Sequence, residues 1–362
     1  MEYDANKILS NFKDINHYNV SPYGNGHIND TYLCESPQKY ILQKINTGIF
    51  AEPENVMENI DSVTSHLRRK IAEAGGDPSR ETLEIIYTVD GKTVYKTEKG
   101  DYFRLYTYVG NTVTKETAET NRDLYSAARA FGKFQNMLAD FPAEKLHETI
   151  PNFHNTKSRF ADFKKAVEND ACGRCADAAE EIELALGRES MTGTVVDLLE
   201  NGGLPLRVTH NDTKLNNVLF DADTDEAICV IDLDTVMPGS LLYDYGDALR
   251  FGASSAAEDE KDLSKVYFDL DKFSAFTKGY LEELAPSITE KELELLPDAA
   301  MLMTYECGIR FLGDYLNGDT YFKTHYAEHN LVRARTQLKL VKDMESKKEE
   351  MKKIISDIMK TK

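Results

Sequence analysis

The sequence has few cysteines and no long apolar run, and each of these shortages excludes a class of protein. Its 362 residues include five cysteines, at Cys34, Cys172, Cys175, Cys229 and Cys307. An odd number at scattered positions does not fit a disulfide framework. No apolar stretch approaches the ~20 residues of a membrane-spanning helix, and no signal-peptide pattern opens the chain. We therefore expect a cytoplasmic protein that does not enter membranes.

Positive charge is scarce as well. The chain carries 43 Lys and Arg residues against 62 Asp and Glu residues, and its formal net charge is −19 at pH 7. Nucleic-acid-binding proteins need a basic surface opposite the phosphate backbone, so this composition argues against such a partner. A small phosphorylated ligand would need local cations or a metal ion to offset the field of the protein.

Two short patterns have the spacing of metal ligands but lack the partners that a metal site needs. Cys172 and Cys175 form a single C-x-x-C in a charged stretch, with no second ligand pair. His325 and His329 are spaced for one face of a helix, without an accompanying carboxylate pattern. We expect neither pattern to bind a metal ion.

The most informative segments are T-H-N-D-T-K-L-N-N-V-L-F-D at 209–221 and I-D-L-D at 231–234. Asp212 is followed five residues later by Asn217, and a second acidic centre comes at Asp232. In phosphoryl transfer, one carboxylate orients the attacking hydroxyl and accepts its proton, while an amide and a second carboxylate hold Mg²⁺ on the ATP phosphates. The pattern predicts Asp212 as the catalytic base, and Asn217 and Asp232 as magnesium ligands.

The neighbouring sequence favours this interpretation over a polar turn without chemistry. Leu206–Val208, Val218–Phe220 and Ile228–Leu233 are apolar runs typical of short strands, and Asp221–Glu226 is typical of a hairpin turn. Asn and Asp are common in ordinary turns. A strand–loop–strand context, however, is the setting in which the phosphotransfer motif occurs.

Near the start of the chain, Gly24 and Gly26 lie in Y-G-N-G-H-I-N-D-T-Y, ahead of a predicted strand at Tyr40–Ile45. Glycine lets backbone amides approach phosphates closely. A lone G-x-G is common in turns, but its position before a strand favours a nucleotide-binding loop. Thr31 is a candidate for an additional donor to the nucleotide.

Hydrophobic periodicity predicts strands first and helices later. We predict strands at 40–45, 83–89, 93–96 and 102–109, a hairpin turn at 90–91, and helices at 53–69, 124–138 and 338–358. The order indicates an α+β fold with a small β-rich lobe at 1–109, which would bind the nucleotide. A larger and mainly helical lobe at 110–362 would hold the catalytic loop, with a helical insertion around 145–205.

Together, H-N-D-x-x-x-x-N, I-D-x-D and P-G-S-x-x-Y-D resemble the aminoglycoside phosphotransferase and choline kinase superfamily, which comprises small-molecule relatives of protein kinases. Longer stretches at 23–32, 40–50, 206–219, 231–247 and 306–316 are similar to the N-acetylhexosamine 1-kinases, and the resemblance covers most of the chain. It implies a bilobal, protein-kinase-like fold. It also implies a sugar substrate, with ATP and Mg²⁺ used to phosphorylate the anomeric hydroxyl of GlcNAc or GalNAc.

The resemblance implies further site residues. The lysine that grips the nucleotide in kinases falls on Gln43, and Lys44 is adjacent; side chains alternate along a strand, so only one of them can face the phosphates. Both stay candidates. For the acceptor, the resemblance implies His27 and Arg310. Tyr321 is a further candidate, and so is Asp234, which would project from the same side as Asp232 in an extended segment and for which a second metal ion or a loop cap are the alternatives. Arg310 and Asp314 are also spaced for a plain helical ion pair.

Two alternatives stay open. A cationic acceptor, such as an aminoglycoside, choline or an amino alcohol, would suit an acidic chain, although Arg310 in the pocket would repel it. A nucleotide-binding pseudokinase would lack a catalytic or metal-binding residue, and all three are present. Asp244 and Asp247, in Y-D-Y-G-D, are predicted to support the catalytic loop rather than to react.

Overall fold

A computed structural model describes residues 4–15, 17–24 and 28–361. They form a mixed α+β structure with a β-sheet N-terminal region and a helical C-terminal region, as predicted. The chain divides into two compact units. The first comprises the residues up to Thr114 together with Asp140–Pro151 and Asn217–Pro238, and the second comprises Lys115–Ala139, Asn152–Asn216 and the residues from Gly239 onward.

The regular elements are as follows. The strands are β1 Asn19–Pro22, β2 Asp30–Glu35, β3 Lys39–Ile45, β4 Tyr95–Lys96, β5 Tyr102–Thr107, β6 Thr112–Val113, β7 Arg207–Thr209, β8 Val218–Asp221, β9 Ala227–Val230 and β10 Met237–Gly239. The helices are α1 Ala5–Leu9, α2 Pro53–Glu73, α3 Pro78–Glu81, α4 Asn121–Met137, α5 Thr156–Asn169, α6 Ala179–Leu186, α7 Val196–Glu200, α8 Leu241–Gly252, α9 Leu270–Leu284, α10 Glu290–Glu294, α11 Leu296–Leu316 and α12 His329–Lys360.

The first unit is built on a five-stranded antiparallel sheet in the order β1-β2-β3-β5-β4. One face of this sheet is apolar, because Leu42 of β3 lies opposite Leu105 of β5, and both pack with Ile8 and Leu9 of α1. Side chains alternate along a strand. The next residues in register, Gln43 of β3 and Arg104 of β5, therefore lie on the opposite face.

Helix α2 extends the predicted helix at 53–69 by one turn. Pro53 suits the first turn, where its missing N–H needs no partner. The apolar residues at the predicted spacing form a buried stripe: Val56, Ile60, Val63 and Leu67.

Two predicted strands need correction. Leu83–Val89 does not form a regular strand, because it meets its neighbours only through isolated bridges at Ile85 and Thr88. The run predicted as a strand at 228–233 ends its pairing with β8 at Val230. Asp232 then adopts a left-handed conformation with φ of 59°, and a 3₁₀ turn follows at Leu233–Thr235. The antiparallel turn between β8 and β9 confirms the predicted hairpin.

The second unit is helical. Helix α4 begins with a capping box between Thr120 and Asp123, which satisfies backbone donors of the first turn. It packs closely on α9, since a Cβ atom at Gly132 would lie only 2.5 Å from the carbonyl oxygen of Tyr280. Helix–helix contact at this distance requires glycine.

Helix α11 is buried along most of its length and organises the rest of this unit. Phe163 of α5, Ile309 of α11 and Leu338 of α12 belong to one apolar cluster. Helices α5, α6 and α7 fall in the stretch around 145–205. Across the described ranges, we find no helix that combines the length and the apolarity needed to cross a membrane.

Candidate active site

The predicted catalytic loop is held from behind by two carboxylates of α8. The Asp244 carboxylate accepts hydrogen bonds from the backbone N–H groups of His210 at 2.9 Å and Asn211 at 2.8 Å. The backbone carbonyl oxygen of Asp244 accepts a hydrogen bond from Thr213 Oγ1 at 2.7 Å. The Asp247 carboxylate accepts one from the Thr213 N–H at 3.2 Å. The predicted supporting role of both aspartates is confirmed.

Both carboxyl groups are buried, but their pKa values are shifted in opposite directions. Burial raises the pKa of Asp244 against the pull of its hydrogen bonds. Burial acts on Asp247 too, but the positive charges of Arg250 and Lys214 outweigh it and hold the pKa of Asp247 below its ordinary value. Asp247 therefore stays ionised at neutral pH.

The loop places Asp212 next to a strained residue. Asn211 has a φ of 66°, a left-handed conformation that costs free energy and is concentrated at functional sites. Asp212 is half-buried, and its Oδ1 lies 2.7 Å from Lys214 Nζ. Sequence reasoning missed Lys214. The i, i+2 spacing from Asp212 in a non-helical segment was the available signal.

A buried His–Glu pair lies against the same loop and was also missed. His154 Nδ1 is 2.8 Å from Glu306 Oε1, and His154 Nε2 is 3.4 Å from the carbonyl oxygen of Asn211. Thr156 Oγ1 donates to the second Glu306 oxygen at 2.5 Å. Burial opposes ionisation of Glu306, but His154 and the charge of Arg310 outweigh it and lower its pKa. Because 152 residues separate the pair, no local pattern reveals it.

The predicted metal ligands are oxygen donors of the kind that Mg²⁺ prefers. The Asn217 side chain is buried, and its backbone carbonyl accepts a hydrogen bond from the Ile231 N–H at 2.9 Å. Asp232 is exposed and carries the strained left-handed backbone described above. The described residues contain no cluster of three or more His, Cys, Asp or Glu side chains suited to a metal. A site of one amide and one carboxylate fits Mg²⁺ that is bound largely by substrate phosphates and water.

Asp234 is buried beside Arg104 rather than exposed to a ligand. Its Oδ1 forms an ion pair with Arg104 Nη1, and the two side chains are 5% and 1% exposed. Its Oδ2 accepts a hydrogen bond from Asn29 Nδ2 at 2.6 Å. The segment from Asp232 to Asp234 is not extended, because a 3₁₀ turn follows Asp232. Substrate contact by Asp234 stays a prediction, and its present partners favour a structural role.

The structure separates Gln43 from Lys44. The Nζ of Lys44 pairs with Oδ1 of Asp101, the residue before β5, at 2.9 Å. Gln43 lies on the opposite face, where its amide donates to Thr31 Oγ1 at 3.0 Å and accepts from Arg104 Nε at 2.9 Å. Their nucleotide contacts stay predictions. Gln43, however, occupies the face that carries the buried cation, and Lys44 does not.

The glycine-rich segment is only partly described. Gly24 has a φ of 73°, a conformation that glycine adopts without strain. Gly26 and His27 lie outside the described residues, so their predicted roles stay predictions. Thr31 of β2 lies opposite Gln43 of β3 and is half-buried.

Arg310 does not form the helical ion pair that its spacing allows. Both oxygens of Asp314 instead accept hydrogen bonds from the segment after α11, from the N–H groups of Thr320, Tyr321 and Phe322 and from Asn330 Nδ2. The Arg310 guanidinium lies 5.8 Å from the ring centroid of Tyr321, which is 71% exposed. The structure thus brings together two residues that were predicted to contact the acceptor.

A second arginine accompanies Arg310. Arg159, at the start of α5, donates from Nε and Nη2 to the carbonyl oxygen of Phe153 at 3.2 and 3.0 Å. Burial and then the charge of Arg310 lower the pKa of Arg159. Within the described part of the chain, no carboxylate oxygen lies within 4 Å of either guanidinium. Sequence reasoning missed Arg159 because α5 and α11 are distant in sequence.

Comparison with known proteins bears on the chain as a whole. A family model described as "Phosphotransferase enzyme family" matches residues 19–276, which is more than half of the sequence. Three solved structures illustrate the fold. A microcompartment-associated aminopropanol kinase is 16% identical with a TM-score of 0.58, over 96% of this chain and 98% of that one.

The amicoumacin kinase hAmiN, solved with AMP-PNP, Ca²⁺ and Ami, is 15% identical with a TM-score of 0.58, over 95% of this chain and 94% of that one. A choline/ethanolamine kinase family protein from Mesorhizobium loti is 16% identical with a TM-score of 0.55, over 97% of each chain. At these identities the likeness shows the fold, and it confirms the predicted kinase-like fold class.

Proposed function

Since this chain belongs to the phosphotransferase enzyme family, we propose that it is a kinase that transfers the γ-phosphate of ATP to the anomeric hydroxyl of an N-acetylhexosamine, GlcNAc or GalNAc. The observation that carries the choice of acceptor is the state of Arg310. It is half-buried, released from Asp314 and accompanied by Arg159. Two guanidiniums offer donors to ring and amide oxygens and repel a cation.

Asp212 is the proposed base. Its carboxylate would orient the acceptor hydroxyl and accept the proton that leaves as the O–P bond forms. The anomeric hydroxyl is the most acidic one on a sugar, so a carboxylate is a suitable base for it. The hydrogen bonds from the loop backbone to Asp244 and Asp247 fix the loop that carries Asp212. Positioning of this kind lowers the entropic part of the barrier.

Asn217 and Asp232 are the proposed magnesium ligands. When bound, Mg²⁺ would neutralise charge on the ATP phosphates, which an acidic protein otherwise repels. Backbone amides at Gly24 and Gly26, with Thr31, are the proposed phosphate donors. Gln43 is the other proposed nucleotide contact, with Lys44 on the opposite face as the alternative.

Arg310 and Tyr321 are the proposed contacts to the sugar, with His27 and Asp234 as further candidates. An exposed aromatic ring beside a guanidinium suits a sugar, whose C–H face stacks on the ring while its hydroxyls accept hydrogen bonds. Arg159 is added to this set from the structure.

An acceptor screen tests the proposal. The enzyme is incubated with Mg·ATP and, in parallel, with GlcNAc, GalNAc, glucose, kanamycin, choline and 1-amino-2-propanol, and ADP release is measured. We expect turnover with the N-acetylhexosamines and a product whose ³¹P signal couples to the anomeric proton. Turnover restricted to the cationic acceptors would overturn the sugar assignment in favour of the alternative. Asp212→Asn serves as the control for contaminating kinases.

A further inference from the structure

Burial of the charged Arg104 side chain costs free energy of folding in the first unit. It is among the largest fully buried side chains, with 1% of its surface exposed. An unpaired buried charge costs several kcal/mol, roughly, and even a paired one rarely stabilises more than apolar residues of the same volume. Its role therefore calls for an explanation other than stability.

The position of Arg104 follows from the register of the sheet. Thr31 of β2 lies opposite Gln43 of β3, and Gln43 lies opposite Arg104 of β5. Side chains directly opposite each other share a face, so the three form one row across three strands. Hydrogen bonds run along it, from Gln43 to Thr31 at 3.0 Å and from Arg104 to Gln43 at 2.9 Å.

The end of this row meets the turn after Asp232. Arg104 Nη1 pairs with one oxygen of Asp234 and Asn29 Nδ2 donates to the other, while Asn29 Oδ1 accepts from the Asn46 N–H at 2.9 Å. Asn59 of α2 donates to the carbonyl oxygen of Val236 at 2.9 Å. The turn is thus tied to β2, β5 and α2 of the same unit.

Asp232 stands immediately before this turn in a strained backbone conformation. Such strain persists only where the surroundings impose it. Asp234, two residues after Asp232, is buried and bound on both oxygens by Arg104 and Asn29, so its contacts help to hold the backbone of Asp232 in place. Releasing Asp234 would let Asp232 relax and its carboxylate turn away.

We infer that Arg104 is a positioning residue for the metal: through Asp234 it fixes the direction of the Asp232 carboxylate. Gln43 stands where kinases have a positively charged lysine, and Arg104 supplies a fixed positive charge beside it. Because Arg104 is buried and paired with Asp234, this charge acts on the turn after Asp232 and not on the nucleotide. This inference rests on the proposed role of Asp232 as a magnesium ligand.

The test measures metal binding rather than turnover. Mn²⁺, as a paramagnetic probe, is titrated into the protein with ADP, and bound Mn²⁺ is counted by electron paramagnetic resonance. We expect Arg104→Lys to weaken Mn²⁺ binding by about 10–100-fold, the usual cost of losing a group that orients a metal ligand. A lysine keeps the charge but cannot reach Gln43 and Asp234 together.

A matched control comes from the second unit. Arg207 pairs with Glu292 at 2.7 Å, and their side chains are 7% and 0% exposed. Arg207→Lys should reduce the melting temperature without changing Mn²⁺ affinity, so a general loss of stability is separated from a loss of metal positioning.

Two further variants keep the inference testable. The double variant Arg104→Met with Asp234→Leu removes both charges of the buried pair, so it should fold. Its Mn²⁺ binding should nevertheless be weaker than that of the wild type. Asp232→Ala tests the premise: if it leaves Mn²⁺ binding unchanged, the proposed ligand is wrong. If Asp232→Ala weakens binding while folded Arg104→Lys and the double variant bind Mn²⁺ like the wild type, the positioning role of Arg104 is wrong and the ligand assignment stands.

Discussion

Each unit contains an aspartate–cation pair, and the two pairs differ in almost every physical respect. Arg104 and Asp234 in the first unit are 1% and 5% exposed, whereas Lys214 and Asp212 in the second are 44% and 27% exposed. The first pair joins residues 130 positions apart and the second joins residues two apart. A dry, planar guanidinium fixes a geometry, while a flexible lysine in contact with water imposes no single geometry on its carboxylate.

The comparison shows where each unit needs rigidity. In the first, the buried pair acts on the turn after Asp232. In the second, rigidity comes from Asp244 and Asp247, which bind the backbone of the catalytic loop and leave the Asp212 side chain exposed in part. The carboxylate proposed as the base thus stands on a fixed support and is itself only partly buried.

Replacement of the reactive carboxylate should have the largest effect. We expect Asp212→Asn to lower kcat by ~10²–10⁴-fold, the usual contribution of general-base catalysis. ADP binding and the melting temperature should change little, because the support of the loop comes from its backbone. Single-turnover kinetics and nucleotide titration measure both effects. A kcat close to that of the wild type would reject Asp212 as the base.

Neutralisation of the buried carboxylate should act mainly on stability. Asp234→Asn leaves Arg104 as an uncompensated buried charge, and breaking a buried pair in this way costs about 3–5 kcal/mol. Urea unfolding gives the free energy of unfolding directly. An unchanged value would mean that Arg104 finds another partner, and the contrast between the two pairs would then fail.

Loss of the proposed acceptor contact should be smaller. Arg310→Ala removes a charge-assisted donor, worth ~1.5–3 kcal/mol, and should raise KM for the sugar more than KM for ATP. Arg159→Ala is the informative companion, since it tests the second guanidinium on α5. If Arg310→Ala lowers stability and leaves the sugar KM unchanged, Arg310 is structural.

The buried pair of His154 and Glu306 gives a pH dependence with a definite sign. Burial raises the pKa of Glu306, but His154 and Arg310 outweigh it and hold the folded-state pKa below its unfolded value. The stability contributed by Glu306 is therefore present above its unfolded pKa and is lost as the pH falls through the folded value. We expect Glu306→Gln to lose less stability than the wild type in thermal melts as the pH falls from about 5 to about 2, the range that starts near the unfolded pKa and extends below the folded one. An equal loss in both proteins would show that other groups govern acid unfolding.

Local patterns predicted more of the fold than of the site. The stripe of α2, the hairpin at 221–226 and the alternation of β3 depend on neighbours in sequence, and the structure confirms them. The strand predicted at Leu83–Val89 does not form, because the apolar alternation of this segment reflects burial beside a sheet and not pairing within it. The strand predicted at 228–233 ends before Asp232, because a tertiary contact, the pair of Arg104 and Asp234, overrides an apolar run that favours a strand.

Two of the missed residues, His154 and Arg104, meet their partners across long stretches of sequence, so no motif contains them. Arg104 was visible only as a charge within an apolar strand, and a charge in such a place is a signal for a buried partner. The roles of Asp212 and Asn217 stay predictions, and they rest on a local spacing of five residues that the sequence shows directly.

The smallest expected effect belongs to the exposed pair, and it completes the comparison. Burial lowers the pKa of Lys214, but the charge of Asp212 outweighs it and raises the value overall, so the ammonium stays charged through neutral pH. Exposed pairs contribute about 0–1 kcal/mol. We therefore expect Lys214→Met to change the free energy of unfolding by less than about 1 kcal/mol, with Lys214→Arg indistinguishable from the wild type. Arg104→Lys, an equally conservative change in a dry pair, should cost more stability in the same urea titration. If Lys214→Met destabilises the protein as strongly as Asp234→Asn does, the difference in exposure between the two pairs has no energetic meaning.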